Sequence, residues 1–99
     1  MKAQPNKHRR LHLIIKGYVQ GVGFRFFTLQ NGTQLRLYGW VRNKFNGNVE
    51  VFAEGPEKDL YALIQEVRRG PPSAEVHDIE IAWDEPLGDL PPFTVLANG

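Results

Sequence analysis

Cysteine is missing from this sequence of 99 residues, and so is any long apolar run. Without cysteine the chain can form no disulfide, no thiolate nucleophile and no cysteine-ligated zinc site. No stretch approaches the roughly 20 apolar residues of a membrane helix, and the segment from Met1 to Arg10 is too polar for a secretory signal. We therefore expect one compact domain of a soluble, cytoplasmic protein.

Carboxylates are scarce in the first half of the chain. Residues 1 to 50 hold nine Lys or Arg and one acid, Glu50, whereas residues 51 to 99 hold three Lys or Arg and ten acids. This split predicts a positive surface or cleft for an anionic ligand, which could be a phosphate, a nucleic acid or an acidic partner. For residues 1 to 10, a polar basic tail that only solubilises the chain end explains the cations equally well.

Hydrophobic periodicity and turn signals predict the element order β-α-β-β-α-β. Asn46-Gly47 is typical of a hairpin turn, and the apolar stripe of the second helix follows Pro56 at helical spacing. The order predicts an α+β, two-layer sandwich in which one antiparallel sheet carries two helices. The predicted ranges are strands over 11–19, 37–43, 48–54 and 76–84, a helix from Phe24, a helix from Pro56 to Gly70 with the stripe Leu60, Leu63, Ile64 and Val67, and a short fifth strand over 93–96.

A glycine-containing loop and an asparagine form the candidate site. Strands one and two run in the same direction in this arrangement, so their carboxyl ends bring the loop over 20–25 close to Asn43. Backbone N–H groups of such a loop can converge on an anion, and Arg25 offers a planar fork to phosphoryl oxygens. Taken alone, the loop also fits an ordinary tight turn, and Asn43 also fits an ordinary hairpin asparagine.

Three segments together resemble the acylphosphatase family: Gly17 to Arg25, Gly39 to Asn43 and Gly47 to Val51. The resemblance extends from about residue 11 to residue 93. The sequence departs from the family at Gly32, where alanine is usual, and at Arg36, where a glycine often ends the helix. A left-handed cap conformation is unfavourable for an arginine, so these two positions weaken the predicted first helix.

The resemblance implies a ferredoxin-like domain over residues 11–97 that hydrolyses small acyl phosphates without a cofactor. A monomer is the simplest expectation, and we expect no metal, nucleic-acid or membrane partner. The resemblance also implies the site residues. Arg25 corresponds to the family's phosphate-binding arginine, and Asn43 corresponds to the asparagine that orients the attacking water. The loop residues implied to bind phosphate together with Arg25 are Gln20, Gly21, Val22, Gly23 and Phe24.

Other functions are less well supported by the residues. One alternative is a non-catalytic phosphate- or RNA-binding module of this fold. For RNA the third strand would be basic and aromatic, but this strand carries Glu50 and Glu54. An acylphosphatase-like domain of a larger carbamoyltransferase is a second alternative, against which the chain's length favours a free-standing enzyme. His8, His12 and His77 lack metal-ligand spacing, and His77 is expected to be packed or partly buried on its strand.

Overall fold

The structure is a computed structural model that describes residues 6–99. Its elements are β1 (His8–Tyr18), α1 (Phe24–Gln34), β2 (Tyr38–Asn43), β3 (Val49–Pro56), α2 (Glu57–Arg69), β4 (Glu75–Asp84) and β5 (Thr94–Val95). The strands form one sheet in the order β4-β1-β3-β2-β5, which is the predicted ferredoxin-like arrangement with an added edge strand. β5 pairs in parallel with β2, so the sheet is mixed and not wholly antiparallel as predicted.

Strand β1 begins at His8, three residues before its predicted start. Two arginines expected in the polar tail lie in this strand and are paired. Arg9 Nη1 lies 3.1 Å from a carboxylate oxygen of Glu57, and Arg10 Nη1 lies 2.6 Å from one of Glu54. Positions 1–5 of the predicted tail lie outside the described residues. Among the helices of residues 6–99, none has the length and apolarity that crossing a membrane requires.

The core lies between one face of the sheet and the two helices. The predicted stripe of α2 is buried, as are the alternating residues of β1 and β3. Burying each such side chain contributes about 1.5–3 kcal/mol. His77 was predicted to be packed on β4, but it is exposed, because the pairing with β1 shifts register between Asp78 and Val76 and Val76 packs against the core instead. The fully buried aliphatic residues of these elements are Leu11, Leu13, Ile15, Val49, Val51, Ala53, Leu60, Leu63 and Val67.

Helix α1 faces the core with Phe24, Thr28 and Gly32. A Cβ atom at position 32 would lie 2.5 Å from the ring of Phe93, so this glycine makes room for an aromatic ring. The predicted core face also included Asn31, which is only half-buried. Its side-chain nitrogen donates to the backbone carbonyl of Phe27, one turn earlier in the helix, at 2.9 Å. The close approach of Phe93 therefore accounts for the helical glycine that departs from the family pattern.

Arg36 ends α1 with a φ of 58°, in the left-handed region that disfavours side chains. Its N–H donates to the carbonyl of Thr33 at 3.0 Å, and the N–H of Leu37 donates to the carbonyl of Gly32 at 2.9 Å, as in a Schellman motif. We expect Arg36→Gly to stabilise the protein by about 0.5–1 kcal/mol, because strain relief exceeds the added entropy of the unfolded chain. Urea unfolding would measure the difference. Arg36→Ala is the matched control, because it removes the guanidinium but keeps the strain, and a glycine variant no more stable than the alanine variant would contradict the prediction.

Candidate active site

The loop between β1 and α1 approaches the helix through two glycines with positive φ. Gly21 has a φ of 73° and Gly23 a φ of 81°. Gly23 is the N-cap of α1, where no side chain caps the helix, and its carbonyl already accepts the N–H of Phe27 at 3.0 Å. Helix geometry leaves the N–H groups of the first turn without partners inside the helix. These groups can bind an anion, assisted by the positive end of the helix dipole.

Residues from this loop and from the end of β2 line one cavity of about 290 Å³. β1 and β2 both run antiparallel to β3, which lies between them, so the carboxyl ends of β1 and β2 share one edge of the sheet. The structure therefore brings Arg25 and Asn43 to the same cavity. Its lining residues are Val19, Gly21, Gly23, Phe24, Arg25, Phe26, Leu29, Asn43 and Val95.

Two of the predicted loop residues, Gln20 and Val22, are absent from that lining. Gln20 turns its side chain to the hairpin between β2 and β3, where Nε2 donates to the carbonyls of Lys44 and Asn48 at 2.7 and 2.8 Å. Val22 is partly buried against the hydrophobic core. Neither side chain therefore faces the cavity.

The Asn43 side chain is buried, and its Oδ1 atom has no hydrogen-bond partner among residues 6–99. Buried carbonyl oxygens in proteins are almost always hydrogen-bonded. The backbone carbonyl of Asn43 does accept a hydrogen bond, from the N–H of Gly99 at 3.0 Å. The side-chain oxygen is thus placed to accept a hydrogen bond from a molecule in the cavity.

Arg25 is exposed at the mouth of the cavity, where its Nη1 lies 3.4 Å from the side-chain oxygen of Asn98. Asn98 arrives there because the segment after β5 continues along β2, with the N–H of Leu96 donating to the carbonyl of Val41 at 2.9 Å. The sequence predicted a short strand near Val95 but gave no signal that this end of the chain meets the site. Asn98 and Val95 are therefore neighbours of the site that sequence reasoning missed.

Arg42 and Lys44, the basic residues on either side of Asn43, are both close to the carboxylate of Glu50. This buried carboxylate lies 2.9 Å from Arg42 Nε, 3.7 Å from Lys44 Nζ and 2.7 Å from His12 Nε2. Burial acts to raise the pKa of Glu50, but the hydrogen bonds from His12 and Arg42 and the charge of Lys44 outweigh it, and the pKa is lowered. The guanidinium of Arg42 is therefore paired within the protein. Arg25, by contrast, has no carboxylate partner among the described residues.

No group of three or more His, Asp or Glu side chains within residues 6–99 is arranged to hold a metal ion. The donors that converge on the cavity are instead backbone N–H groups, a guanidinium and a carboxamide. Such a set suits an oxyanion with several acceptor oxygens together with a water molecule.

The family model, the related sequences and the related structures all point to the same family. The family model described as acylphosphatase matches residues 11–95. Acylphosphatase of Moorella thermoacetica is 48% identical over 80 residues, which are 81% of this chain and 86% of that protein. The crystal structure of acylphosphatase from Bacillus subtilis matches with a TM-score of 0.86 and 36% identity, covering 89% of this chain and 98% of that one. A structure of full-length HypF in the phosphate- and nucleotide-bound form matches with a TM-score of 0.83 and 30% identity, covering 93% of this chain but 12% of that one.

Proposed function

Because this chain belongs to the acylphosphatase family, we propose that it hydrolyses the carboxyl-phosphate anhydride of small acyl phosphates to a carboxylate and inorganic phosphate. One observation carries this proposal. A single cavity is shared by an uncapped helix N-terminus, the guanidinium of Arg25 and the Asn43 side chain, whose buried oxygen has no partner in the described chain.

The phosphoryl group would be held by the loop and by Arg25. The N–H groups of the loop from Gln20 to Phe24 and of the first helical turn supply neutral donors, and the arginine supplies a planar fork for two phosphoryl oxygens. Each charge-assisted hydrogen bond contributes about 1.5–3 kcal/mol. Because the amide donors are fixed by the backbone, they can stabilise charge on the equatorial oxygens in the transition state without reorganising.

The attacking water would be held by Asn43. Its oxygen accepts a hydrogen bond from the water, which lies in line with the bond to the leaving carboxylate. The new bond joins the water oxygen to phosphorus, the bond between phosphorus and the acyl oxygen breaks, and the carboxylate leaves with the electron pair. A carboxamide does not titrate usefully, so the water's proton would pass to a phosphoryl oxygen and not to Asn43.

No cofactor is part of this proposal, because a carboxylate is a good leaving group and positioning can supply most of the catalysis. The acyl group would lie beside Phe26, Leu29 and Val95, which line the same cavity as Arg25. We also propose a monomer, because every proposed site residue comes from one chain. We propose a cytoplasmic location as well, because acyl phosphates hydrolyse readily and the enzyme must act in the compartment that forms them.

A nucleic-acid partner is not proposed, because the sheet face opposite the helices already uses its aromatic and cationic groups. Phe52 is stacked on His12 at 4.1 Å between ring centroids and contacts Trp40 at 5.1 Å. Arg10, which lies over the same ring, is paired with Glu54. Bases would find few free rings or unpaired cations on this surface.

The direct test is the release of carboxylate and phosphate from benzoyl phosphate and acetyl phosphate in the presence of a chelator. We expect stoichiometric release and competitive inhibition by inorganic phosphate. In water enriched in heavy oxygen the label should enter the phosphate and not the carboxylate, because the attack is on phosphorus. A folded protein that hydrolyses neither compound, or that labels the carboxylate, would refute the proposed function.

A further inference from the structure

The side chain of Gln20 joins the glycine loop to the hairpin that carries Asn43. Its Nε2 donates to the carbonyl of Lys44 at 2.7 Å and to that of Asn48 at 2.8 Å. A carboxamide nitrogen has two protons, so both are used in these contacts. The side chain therefore has no donor left for a phosphoryl oxygen, and it acts on the site through the hairpin.

The two acceptors lie at the closing pair of the hairpin. Lys44 directly follows Asn43 in the chain, and its N–H donates to the carbonyl of Asn48 at 2.8 Å. The tight turn between them is closed by the N–H of Gly47, which donates to the Lys44 carbonyl at 3.2 Å. A single side chain from the loop thus holds both strands of the hairpin at the point where β2 ends.

The loop itself has few other contacts on this side. A Cβ atom added at Gly21 or at Gly23 would meet no atom within 4 Å, so no described atom packs closely there. Apolar packing holds the loop through the partly buried Val22 and through the buried side chains of Val19 before it and Phe24 after it. The two hydrogen bonds from Gln20 are therefore the polar link that fixes the distance between the loop and Asn43.

We propose that Gln20 is a positioning residue that sets the distance between the bound phosphoryl group and the water held by Asn43. This inference rests on the proposed function. A displacement of about 1 Å between reacting groups can cost roughly a hundredfold in rate. Since phosphate binding depends on the loop amides and Arg25, removal of the Gln20 link should lower turnover and leave phosphate affinity nearly intact.

The test replaces Gln20 by methionine, which keeps the length of the side chain and removes both donors. We expect kcat for benzoyl phosphate to fall about 10- to 100-fold while the inhibition constant of inorganic phosphate changes less than about threefold. Asn43→Ala should then cost much less in the Gln20→Met background than in the wild type, because the two residues act on the same water. Gln34→Met, at the exposed end of α1, is the matched control and should leave both constants unchanged.

Three results would overturn the inference: unchanged kcat in Gln20→Met, phosphate affinity lost in parallel with kcat, or additive effects of the two substitutions. Should the methionine variant not fold, Gln20→Asn supplies the same test, because the shorter side chain keeps its donors but cannot reach both carbonyls. NMR exchange of the Gln20 side-chain protons separates this inference from the proposed function. Protected protons in a protein without hydrolytic activity would refute the function and leave the link intact, whereas rapid exchange in an active enzyme would refute the link alone.

Discussion

Replacing Arg25 by alanine should lower kcat/KM for benzoyl phosphate by about a thousandfold and weaken inhibition by inorganic phosphate. Two charge-assisted hydrogen bonds of about 1.5–3 kcal/mol each correspond to a factor of roughly 10² to 10⁴. No carboxylate among the described residues shares this guanidinium, so the whole of its charge is available to a ligand. Initial rates and the inhibition constant of phosphate, measured on the same preparation, would give both effects.

Two further variants make this prediction specific for the guanidinium fork. Arg25→Lys keeps the charge but loses the planar geometry, so it should recover only part of the activity. Arg68→Ala removes the same charge from the exposed face of α2 and should leave activity within about twofold, since this residue is remote from the cavity. If Arg25→Ala kept full sensitivity to phosphate, the loop amides alone would form the binding site and the assigned role of Arg25 would be wrong.

The stability of Arg25→Ala should differ little from that of the wild type. Its guanidinium is exposed and makes one long contact, at 3.4 Å, with the side chain of Asn98. Exposed polar contacts of this kind contribute little to the free energy of folding. Loss of activity can therefore be separated from loss of structure, and an unfolding curve for each variant would establish this separation.

The sequence predicted the fold well where local periodicity and tertiary packing agree. The apolar stripe of α2 lies at helical spacing and is wholly buried. The dipole of the helix is matched by acidic residues in its first turn and arginines in its last turn. The core face of the first helix was harder to predict, because it includes Gly32, whose role depends on the ring of Phe93 far along the chain. No local rule could reveal that contact.

Strand ends were predicted less accurately for a similar reason. β1 begins at His8 because residues 8 to 10 pair with residues 54 to 56 of β3, and Arg9 and Arg10 meet carboxylates on α2 and β3. Pairing across such distances leaves no trace in local composition. The burial of Glu50 beside Arg42, Lys44 and His12 was equally invisible before the fold was known. The excess of basic residues in the first half of the chain therefore overstates the positive charge available to an anionic ligand, because some of them, such as Arg10 and Arg42, are paired with carboxylates of the protein.

The candidate site, too, was predicted only in part from the sequence. That the loop and Asn43 would meet followed from the strand order, because β1 and β2, which lie on either side of β3, run in the same direction and end at one edge of the sheet. Which atoms face the cavity did not follow. The resemblance implied that Gln20 offers its backbone N–H to phosphate, which stays a prediction, and it did not indicate that the Gln20 side chain bonds the hairpin. Side-chain direction in an irregular loop depends on acceptors that only the tertiary structure supplies.

Replacing Asn43 by alanine should lower kcat by a factor of about 100 or more while the inhibition constant of phosphate stays within about twofold. The loss of a single well-placed polar group in a transition state costs about 10²- to 10³-fold in kcat. Phosphate affinity is preserved because the loop amides and Arg25 are untouched. The fold should also tolerate the change, because Oδ1 has no partner within residues 6–99 and the backbone carbonyl still accepts the N–H of Gly99.

Asn43→Asp separates water positioning from general-base catalysis. The aspartate has nearly the same shape, but its charge opposes the phosphoryl group in a site that already binds anions, so both kcat and phosphate affinity should fall. Gln65→Ala, which removes an exposed carboxamide from α2, is the control and should keep activity within about twofold. If Asn43→Asp were as active as the wild type, with a rate that rose with pH, a carboxylate could replace the carboxamide as a base. The assignment of Asn43 as a neutral water-binding group would then be incorrect.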